Sequence, residues 1–158
     1  MPRLLTALLL LHFSAFGQTP LPRLLLSEKG ISSIATNRAG QLFHQCSREA
    51  PEASSQLWQP SKSQVAELEA ALVPFMADRQ KSGSRVPPTS VEYNRQYIGF
   101  TRNGEHLIYG NFYPATLDRS RALRAEPVVI CDGGATFWGV VYRVRAKQFE
   151  EPKFNGEA

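Results

Sequence analysis

The chain has 158 residues, of which 42% are hydrophobic, and it carries a formal net charge of +4 at pH 7. This length predicts a single domain, and the sequence contains neither internal repeats nor a low-complexity segment. The positive charge is small and spread along the chain, and no nucleic-acid-binding motif accompanies it. The composition therefore indicates no nucleic-acid partner.

The N-terminus has the order of a secretory signal peptide. Arg3 supplies a positive charge, residues 4–11 are largely apolar, and a pair of small residues two positions apart ends at Gly17. The apolar run is shorter than the about 20 residues that a membrane-spanning helix needs. We therefore predict a cleaved signal over residues 1–17, export to the periplasm or the medium without a stable membrane anchor, and a mature domain over residues 18–158. The alternative is a buried N-terminal helix.

Two cysteines, Cys46 and Cys131, remain after such a cleavage. Exported proteins meet an oxidising environment in which a pair of thiols usually forms a disulfide. In the chain-entropy model, closing the loop of 85 positions between them would stabilise the fold by roughly 4–5 kcal/mol. Two alternatives remain: a pair of buried, reduced cysteines that act as small apolar residues, and a Cys–His nucleophile.

Residues 18–58 predict an irregular segment, because their apolar runs are too short to distinguish a helix from a strand, and residues 41–46 fit either a helical turn or a strand. A helix follows, and a capping box in which Ser61 and Gln64 exchange hydrogen bonds marks its start. Pro74 removes one backbone donor from this helix, which predicts a kink or a restart near Val73. The apolar residues that recur at helical spacing are Val65, Leu68, Leu72, Phe75 and Met76.

Asn103-Gly104 lies between two β-forming runs, residues 91–102 and 105–113, and is the strongest short-range signal for a hairpin. The two-residue turn predicts these cross-strand pairs: Arg102–Glu105, Phe100–Leu107, Ile98–Tyr109, Gln96–Asn111, Gly99–Ile108, Tyr97–Gly110 and Arg95–Phe112. The predicted core face consists of Ile98, Phe100, Leu107 and Tyr109. On the opposite face large apolar residues lie across from glycines, which suits close packing or a shallow groove.

A second hairpin is predicted near the C-terminus. Residues 128–131 and 136–144 are rich in β-formers, and Asp132-Gly133-Gly134 between them is a turn signal. Taken together, these elements predict an α+β fold with an irregular N-terminal segment. One main helix packs on an antiparallel sheet of about four strands.

The sequence offers little catalytic or metal chemistry. Neither Cys-x-x-Cys nor His-Glu-x-x-His occurs, so no metal site is predicted, and no cofactor motif is present. Acyl-transfer signatures such as Gly-x-Ser-x-Gly are absent as well. An acid–base pair of Asp132 and His106 is the catalytic alternative, and Cys131 with His106 as its base is a weaker one.

Aromatic residues are concentrated in the predicted strands. One helix covers only one face of a sheet, so we expect some of these rings to be exposed, and exposed aromatics on a rigid sheet are frequent in recognition. Tyr97 and Trp138, with Asp132, Gly133 and Gly134, are therefore the candidate binding residues. The alternative is that the N-terminal segment covers the rings. The aromatic residues concerned are Tyr93, Tyr97, Tyr109, Phe112, Tyr113, Phe137, Trp138 and Tyr142.

Two short segments, residues 119–124 and 143–147, concentrate arginine and lysine. One interpretation is that they are solvated loops. The other is that they contact an anionic polymer, lipid head groups or an acidic protein face. The expected partners are thus a protein of the envelope or the medium, or an anionic polymer.

Six groups of residues carry a resemblance to known proteins: Leu57-Trp58-x-Pro60-Ser61, Leu68-Glu69, Arg95-Gln96-Tyr97-x-Gly99-Phe100, Ile108-Tyr109-x-Asn111, Cys131-Asp132-Gly133-Gly134-x-x-Phe137-Trp138-Gly139-Val140-x-Tyr142, and a closing Phe154-Asn155-Gly156. Through these groups, most of the mature chain resembles a set of small exported bacterial proteins without an assigned activity. Arg143 stands where that pattern has an acidic residue, so the last turn is expected to differ. The Cys-Asp-Gly turn also resembles one found between strands in periplasmic lysozyme inhibitors.

The resemblance implies a family but no activity. We expect a non-enzymatic exported binding protein that contacts a protein or an envelope polymer. The sheet aromatics or the Asp132-Gly133-Gly134 loop would make the contact. The alternative is a small exported hydrolase that uses Asp132 and His106.

Overall fold

A computed structural model describes residues 23–52, 56–117 and 126–157 of the protein. The predicted signal peptide and the basic segment 119–124 lie outside these residues. No helix within the described ranges is long and apolar enough to cross a membrane. In chain order the helices and strands are β1 (Leu25–Ser33), α1 (Thr36–Ala39), β2 (Leu57–Trp58), α2 (Lys62–Lys81), β3 (Glu92–Arg102), β4 (Glu105–Pro114), β5 (Trp138–Arg143), β6 (Gln148–Phe149) and β7 (Lys153–Phe154), with 3₁₀ turns at Gly40–Phe43, Ala115–Leu117 and Gly134–Thr136.

Within the described residues seven strands form one mixed sheet in the order β1-β3-β4-β5-β6, with β2 also paired to β3 and β7 also paired to β5. β1 runs parallel to β3, and the other pairings are antiparallel. The α+β class is confirmed, but the prediction of about four antiparallel strands is wrong. The predicted irregular segment is not irregular either, because it supplies β1, α1 and β2. Both of these strands pair with β3, which lies far along the chain.

The Asn-Gly hairpin forms with the predicted register. β3 and β4 pair outward from Arg102–Glu105, and every predicted pair occurs. Asn103 and Gly104 have φ angles of 53° and 76°, the left-handed conformation that the commonest two-residue hairpin turn requires. This local turn chemistry sets the position of each residue along the two long central strands.

The main helix begins at its predicted cap. The Ser61 hydroxyl accepts from the Gln64 backbone N–H over 3.2 Å, and the Gln64 side-chain oxygen accepts from the Ser61 N–H over 2.9 Å. Pro74 lies inside α2 and the helix continues to Lys81, so the predicted restart near Val73 does not occur. The buried part of the predicted stripe consists of Leu68, Leu72 and Met76.

The sheet has a core on each face. α2 covers one face, and the core there includes Tyr93, Tyr97, Ile108, Phe112 and Trp138. The N-terminal segment covers the other face, where the core consists of Ile34, Ala39, Leu42, Phe43, Ile98, Phe100, Leu107, Tyr109 and Val141. This second core contains all four residues of the predicted core face.

The glycine-bearing face of the hairpin is the one beneath α2, and it is closely packed rather than grooved. The indole of Trp58 lies against Gly99, where a Cβ would overlap the ring. At Gly110 a Cβ would come within 2.7 Å of the Phe112 ring and 3.0 Å of the Tyr97 ring. The glycines therefore make room for large side chains of neighbouring residues.

The second predicted hairpin does not form. Its C-terminal arm is β5, but residues 127–131 form no strand. The predicted partner strand β5 has both edges occupied, because β4 pairs with one edge and β6 and β7 pair with the two ends of the other. The apolar residues of the segment 127–131 are instead partly exposed, and side chains of the sheet bond its backbone.

Candidate functional site

Cys46 and Cys131 lie at disulfide distance, with their Cα atoms 5.0 Å apart. This is the predicted pairing. Both residues are exposed, so the alternative of two buried, reduced cysteines is wrong. The cross-link joins the segment at residues 44–52 to the turn that follows Cys131.

Asp132-Gly133-Gly134, here called the Asp132 loop, directly follows the cross-link. Gly133 and Gly134 have φ angles of 94° and 58°, which residues with a Cβ adopt only at a steric cost. The Phe137 ring packs over Gly133 so closely that a Cβ there would approach it to 2.5 Å. The glycines make a turn as predicted, although the turn leads from an irregular segment into β5 and does not join two strands.

Asn155 anchors the Asp132 loop from the C-terminal side of the sheet. Its Nδ2 donates to the carbonyls of Ile130 over 2.6 Å and of Asp132 over 3.0 Å. The Gly134 N–H donates to the carbonyl of Gly156 over 3.0 Å. These bonds and the disulfide hold both ends of the loop, so its backbone is placed before any partner binds.

Arg48 lies buried beside Asn155 and ties the cross-linked segment to β4. Its Nη1 donates to Oδ1 of Asn155 over 2.6 Å, and its Nη2 donates to Oδ1 of Asn111. Nε and Nη2 both donate to the Tyr109 hydroxyl, over 3.3 and 3.1 Å. No carboxylate of the described residues forms an ion pair with this guanidinium, so its hydrogen bonds run to neutral oxygens that depend on it as their donor.

Gln96 and Asn111 hold the segment that leads into the cross-link. The Gln96 side chain accepts from the Val128 N–H over 2.9 Å and donates to the Glu126 carbonyl over 2.6 Å. Asn111 Nδ2 donates to the Val128 carbonyl over 2.9 Å. The two buried amides therefore bond the backbone of this segment in the way that a neighbouring strand would.

The outer surface of the Asp132 loop is acidic. Asp132 and Gly133 are exposed, and so is Glu157, whose Cγ lies 3.1 Å from the position of a Cβ on Gly134. No ion pair or hydrogen bond to a described residue engages the carboxylate of either acid. A partner would thus meet two uncompensated negative charges beside an accessible backbone.

The candidate binding residues Tyr97 and Trp138 do not belong to this surface. Their exposed fractions are 1% and 0%. Tyr97 donates to Oε1 of Glu69 over 3.1 Å, and Trp138 stacks on Phe112 with ring centroids 3.8 Å apart. The expectation of exposed sheet aromatics is wrong, because α2 covers one face of the sheet and the N-terminal segment covers the other. Of the eight aromatic residues considered, Phe137 alone is partly exposed.

Asp132 and His106 do not form an acid–base pair. The Asp132 loop lies at the Trp138 end of β5, because Asn155 follows β7, which pairs with that end. His106 lies at the other end, where its carbonyl accepts from the Val144 N–H. The six residues of β5 separate the two ends by roughly 20 Å at about 3.3 Å per residue.

The other chemical alternatives find no support at this site. Cys131 is bonded to Cys46, so it has no thiolate to offer as a nucleophile. The His106 ring packs against Trp58 in a tilted arrangement, with ring centroids 5.2 Å apart. In the described ranges no group of three or more His, Cys, Asp or Glu residues could hold a metal ion.

A cleft of about 280 Å³ lies on the face of the sheet opposite α2 and is bordered by four glutamates. Three of these four are in ion pairs: Glu49 with Lys153, Glu150 with Arg102 and Glu151 with Arg79. The hydrogen bond from Lys153 lowers the pKa of Glu49. Because three of its four glutamates are already in ion pairs, the cleft offers few free charged groups to a ligand.

The basic segment 143–147 is largely neutralised by its neighbours. Arg143 donates to Glu105 over 2.7 Å, and Lys147 donates to Glu67 over 3.2 Å. The hydrogen bond from Arg143 lowers the pKa of Glu105, and hydrogen bonds from Tyr142 and then Lys147 lower the pKa of Glu67. Paired charges of this kind make a weak site for an anionic polymer.

Apart from the two cysteines, the side chains that hold the Asp132 loop were not among the predicted site residues. Arg48, Asn155, Gln96 and Asn111 place the loop, yet none was singled out as a candidate. One signal was present in the sequence: the predicted register set Gln96 opposite Asn111 on the core face of the hairpin. A facing pair of buried amides needs polar partners, and the segment before Cys131 supplies them.

No protein-family model, no curated protein and no solved structure matches the chain. The resemblance to small exported bacterial proteins therefore stays a prediction.

Proposed function

We propose that the protein is an exported, non-enzymatic binding protein whose contact surface is the Asp132 loop. The observation that carries this proposal is the anchoring of an exposed acidic turn by the disulfide and by Asn155. A loop held in one conformation loses little freedom on binding, which favours affinity. Functional loops are typically of this kind: short, exposed and placed by a rigid scaffold.

The negative charge of the loop favours a partner with the opposite charge. Asp132 and Glu157 favour a positively charged patch on a protein of the envelope or the medium. An anionic polymer is a poorer candidate, since the acids would repel it and since Arg143 and Lys147 are already paired.

Export is the second part of the proposal. It is supported by the order of charge, apolar run and small residues at the N-terminus. A cysteine pair at disulfide distance on the protein surface fits an oxidising compartment. Mass spectrometry of protein from the periplasm or medium tests this part: the mature chain should begin at Gln18, and a chain that retains Met1 would contradict export.

A hydrolase is less well supported than a binding protein. Asp132 and His106, the two residues of that alternative, lie near opposite ends of β5. A general acid and its partner base have to reach the same reacting group. An acidic loop with no base beside it among the described residues suits recognition better than acid–base catalysis.

The binding test is a pull-down of envelope and secreted fractions with the mature protein at several salt concentrations. Asp132→Asn removes a charge from the loop, and Asp78→Asn removes one from α2, where the Asp78 side chain is 76% exposed. We expect retention of a partner that weakens with salt, falls with Asp132→Asn and is unchanged with Asp78→Asn. Absence of a retained partner at every salt concentration, or equal behaviour of the two variants, would overturn the proposal.

A further inference from the structure

The cross-link that places the Asp132 loop is itself accessible to solvent. Cys46 and Cys131 are both exposed, and so is the neighbouring Asp132. Disulfides in secreted proteins that serve only stability are usually resistant to reduction, whereas exposed ones are the labile and regulatory class. Position and exposure thus put a reducible bond directly beside the proposed contact surface.

The fold does not depend on this bond for its two cores. Neither cysteine belongs to the buried clusters on the two faces of the sheet. The segment before Cys131 stays bonded to the sheet through Gln96 and Asn111, and β1 stays paired with β3. Loss of the cross-link therefore removes a local constraint and leaves the sheet and α2 in place.

The constraint that is lost acts on two short stretches, residues 44–47 and 131–133. After reduction the first stretch keeps the bond between Ser47 and Gly156, whose N–H donates to the Ser47 hydroxyl over 3.3 Å. The second keeps the hydrogen bond from Asn155 to the Asp132 carbonyl over 3.0 Å and the one from the Thr136 hydroxyl to the Gly133 carbonyl over 2.6 Å. Single hydrogen bonds at the surface hold a loop less firmly than a covalent link does, so these two stretches are where mobility should increase.

We propose that the Cys46–Cys131 disulfide is a redox site that controls the Asp132 loop, with a dithiol as its reductant. A thiolate of the dithiol attacks one sulfur of the pair and forms a mixed disulfide, and the other cysteine leaves as a thiolate that takes up a proton. The second thiol of the dithiol then displaces the first cysteine, so the dithiol is oxidised to a disulfide and two electrons pass to the protein. The oxidised protein presents the loop, and the reduced protein does not.

This inference rests on the proposed function only where it says that the redox state controls binding by the Asp132 loop. Reducibility and loop mobility are properties of the chain itself and can be measured without a partner. The test therefore combines two readouts on the protein alone with one on binding, so that failure of the switch and failure of the binding proposal can be told apart.

In the first part of the test, the folded mature protein is treated with dithiothreitol without denaturant, and thiols are counted by alkylation and mass. We expect two free thiols while tryptophan fluorescence and a cooperative melt are retained. A bond that is reduced only when denaturant is added, or a reduced protein that has lost its fold, would overturn the inference.

In the second part, amide hydrogen exchange is compared between oxidised and reduced protein. We expect exchange at residues 44–47 and 131–133 to rise by about tenfold or more, with β3 and β4 unchanged. The double variant Cys46→Ser with Cys131→Ser should behave as the reduced protein does. Equal exchange in the two states would contradict the inference, even if the bond is easily reduced.

In the third part, the pull-down is repeated with oxidised, reduced and reoxidised protein. We expect the partner to be retained, lost and regained in that order. Equal retention by oxidised and reduced protein would refute the control of binding. If the oxidised protein retains no partner at all, the binding proposal fails, and the first two readouts alone decide whether the bond is a redox site that frees the loop.

Discussion

The Arg48 guanidinium donates through Nη1 to the Asn155 side-chain oxygen over 2.6 Å, and both side chains are buried. Asn155 in turn donates to the carbonyls on either side of Cys131. One buried pair therefore connects both halves of the cross-linked region. The disulfide, the arginine and the asparagine together place the Asp132 loop.

Replacement of Arg48 should be costly because three oxygens depend on it. In Arg48→Met the acceptors on Tyr109, Asn111 and Asn155 lose their shared donor, and an unsatisfied buried polar group costs about 1–3 kcal/mol. We expect the free energy of unfolding to fall by about 3 kcal/mol or more in urea titrations. The exposed Arg145→Met is the matched control and should change it by less than about 0.5 kcal/mol.

An equally small loss for the two arginine variants would show that the network contributes nothing measurable. Arg48→Lys separates charge from geometry, because a single ammonium cannot reproduce the planar fork of donors. We expect its stability to lie between that of the wild type and that of Arg48→Met.

Gln96→Glu should make stability depend on pH. A buried carboxylate would lose the donor that now serves the Glu126 carbonyl, and burial raises the pKa of a carboxyl group above its value in the unfolded chain. The folded variant then binds the extra proton more tightly than the unfolded chain, so its stability relative to the wild type falls as pH rises from about 4 to 7. Urea midpoints across that range measure the effect.

The exposed Gln148→Glu serves as the control, with a difference from the wild type that stays nearly constant with pH. A penalty for Gln96→Glu that does not change between acid and neutral pH would contradict the buried amide arrangement.

Two glycine substitutions test the packing of the face beneath α2. In Gly99→Ala the new methyl group overlaps the Trp58 ring, so overpacking should cost about 1–3 kcal/mol and shift the tryptophan fluorescence. Gly40→Ala is the matched control, because no atom of the described residues lies within 4 Å of the added Cβ and φ is −52°. We expect it to be neutral or to stabilise by up to about 1 kcal/mol; the same loss at both positions would be evidence against the Trp58 contact.

The buried tyrosines predict the alkaline limit of stability. Burial raises the pKa of Tyr142 to about 12, and its hydrogen bond to Glu67 adds to the effect. Burial also raises the pKa of Tyr93, Tyr97 and Tyr109. A phenol whose folded pKa exceeds the unfolded value of about 10 stabilises the fold fully below pH 10, and this contribution is lost as pH rises toward 12.

Absorbance of tyrosinate should therefore stay low in the folded protein near pH 10.5 and rise together with unfolding at higher pH. The denatured protein, titrated in urea, is the reference and should ionise near pH 10. Smooth ionisation of most tyrosines in the folded state near pH 10 would contradict their burial.

Local signals were sufficient for the hairpin of β3 and β4 and for the start of α2. The Asn103-Gly104 turn and the Ser61 cap are determined by a few adjacent residues, so the sequence alone predicts them. β1 was missed because its partner β3 is distant and its sequence does not alternate. Strand propensity predicts a strand over residues 128–131, but propensity does not reveal that β4 pairs with one edge of β5 and that β6 and β7 pair with the other.

The candidate site was predicted only in part, because local signals reveal its turn and its cysteines but not its long-range contacts. The Asp132-Gly133-Gly134 turn and the cysteine pair are visible in the sequence as short signals. The burial of Tyr97 and Trp138 depends on which elements cover each face of the sheet, and Arg48 and Asn155 meet only in the folded chain. Sequence patterns therefore identified the loop, and the fold identifies what holds it.

Site-specific photo-crosslinking in cells that produce the protein tests the central claim most directly. A photoreactive residue replaces Ala135, next to the Asp132 loop, or Ala70 on the exposed surface of α2. We predict a discrete adduct from position 135 that disappears with Asp132→Asn, and no such adduct from position 70. An adduct pattern that is the same from both positions, or an adduct from position 70 alone, would contradict the assignment of the Asp132 loop as the contact surface.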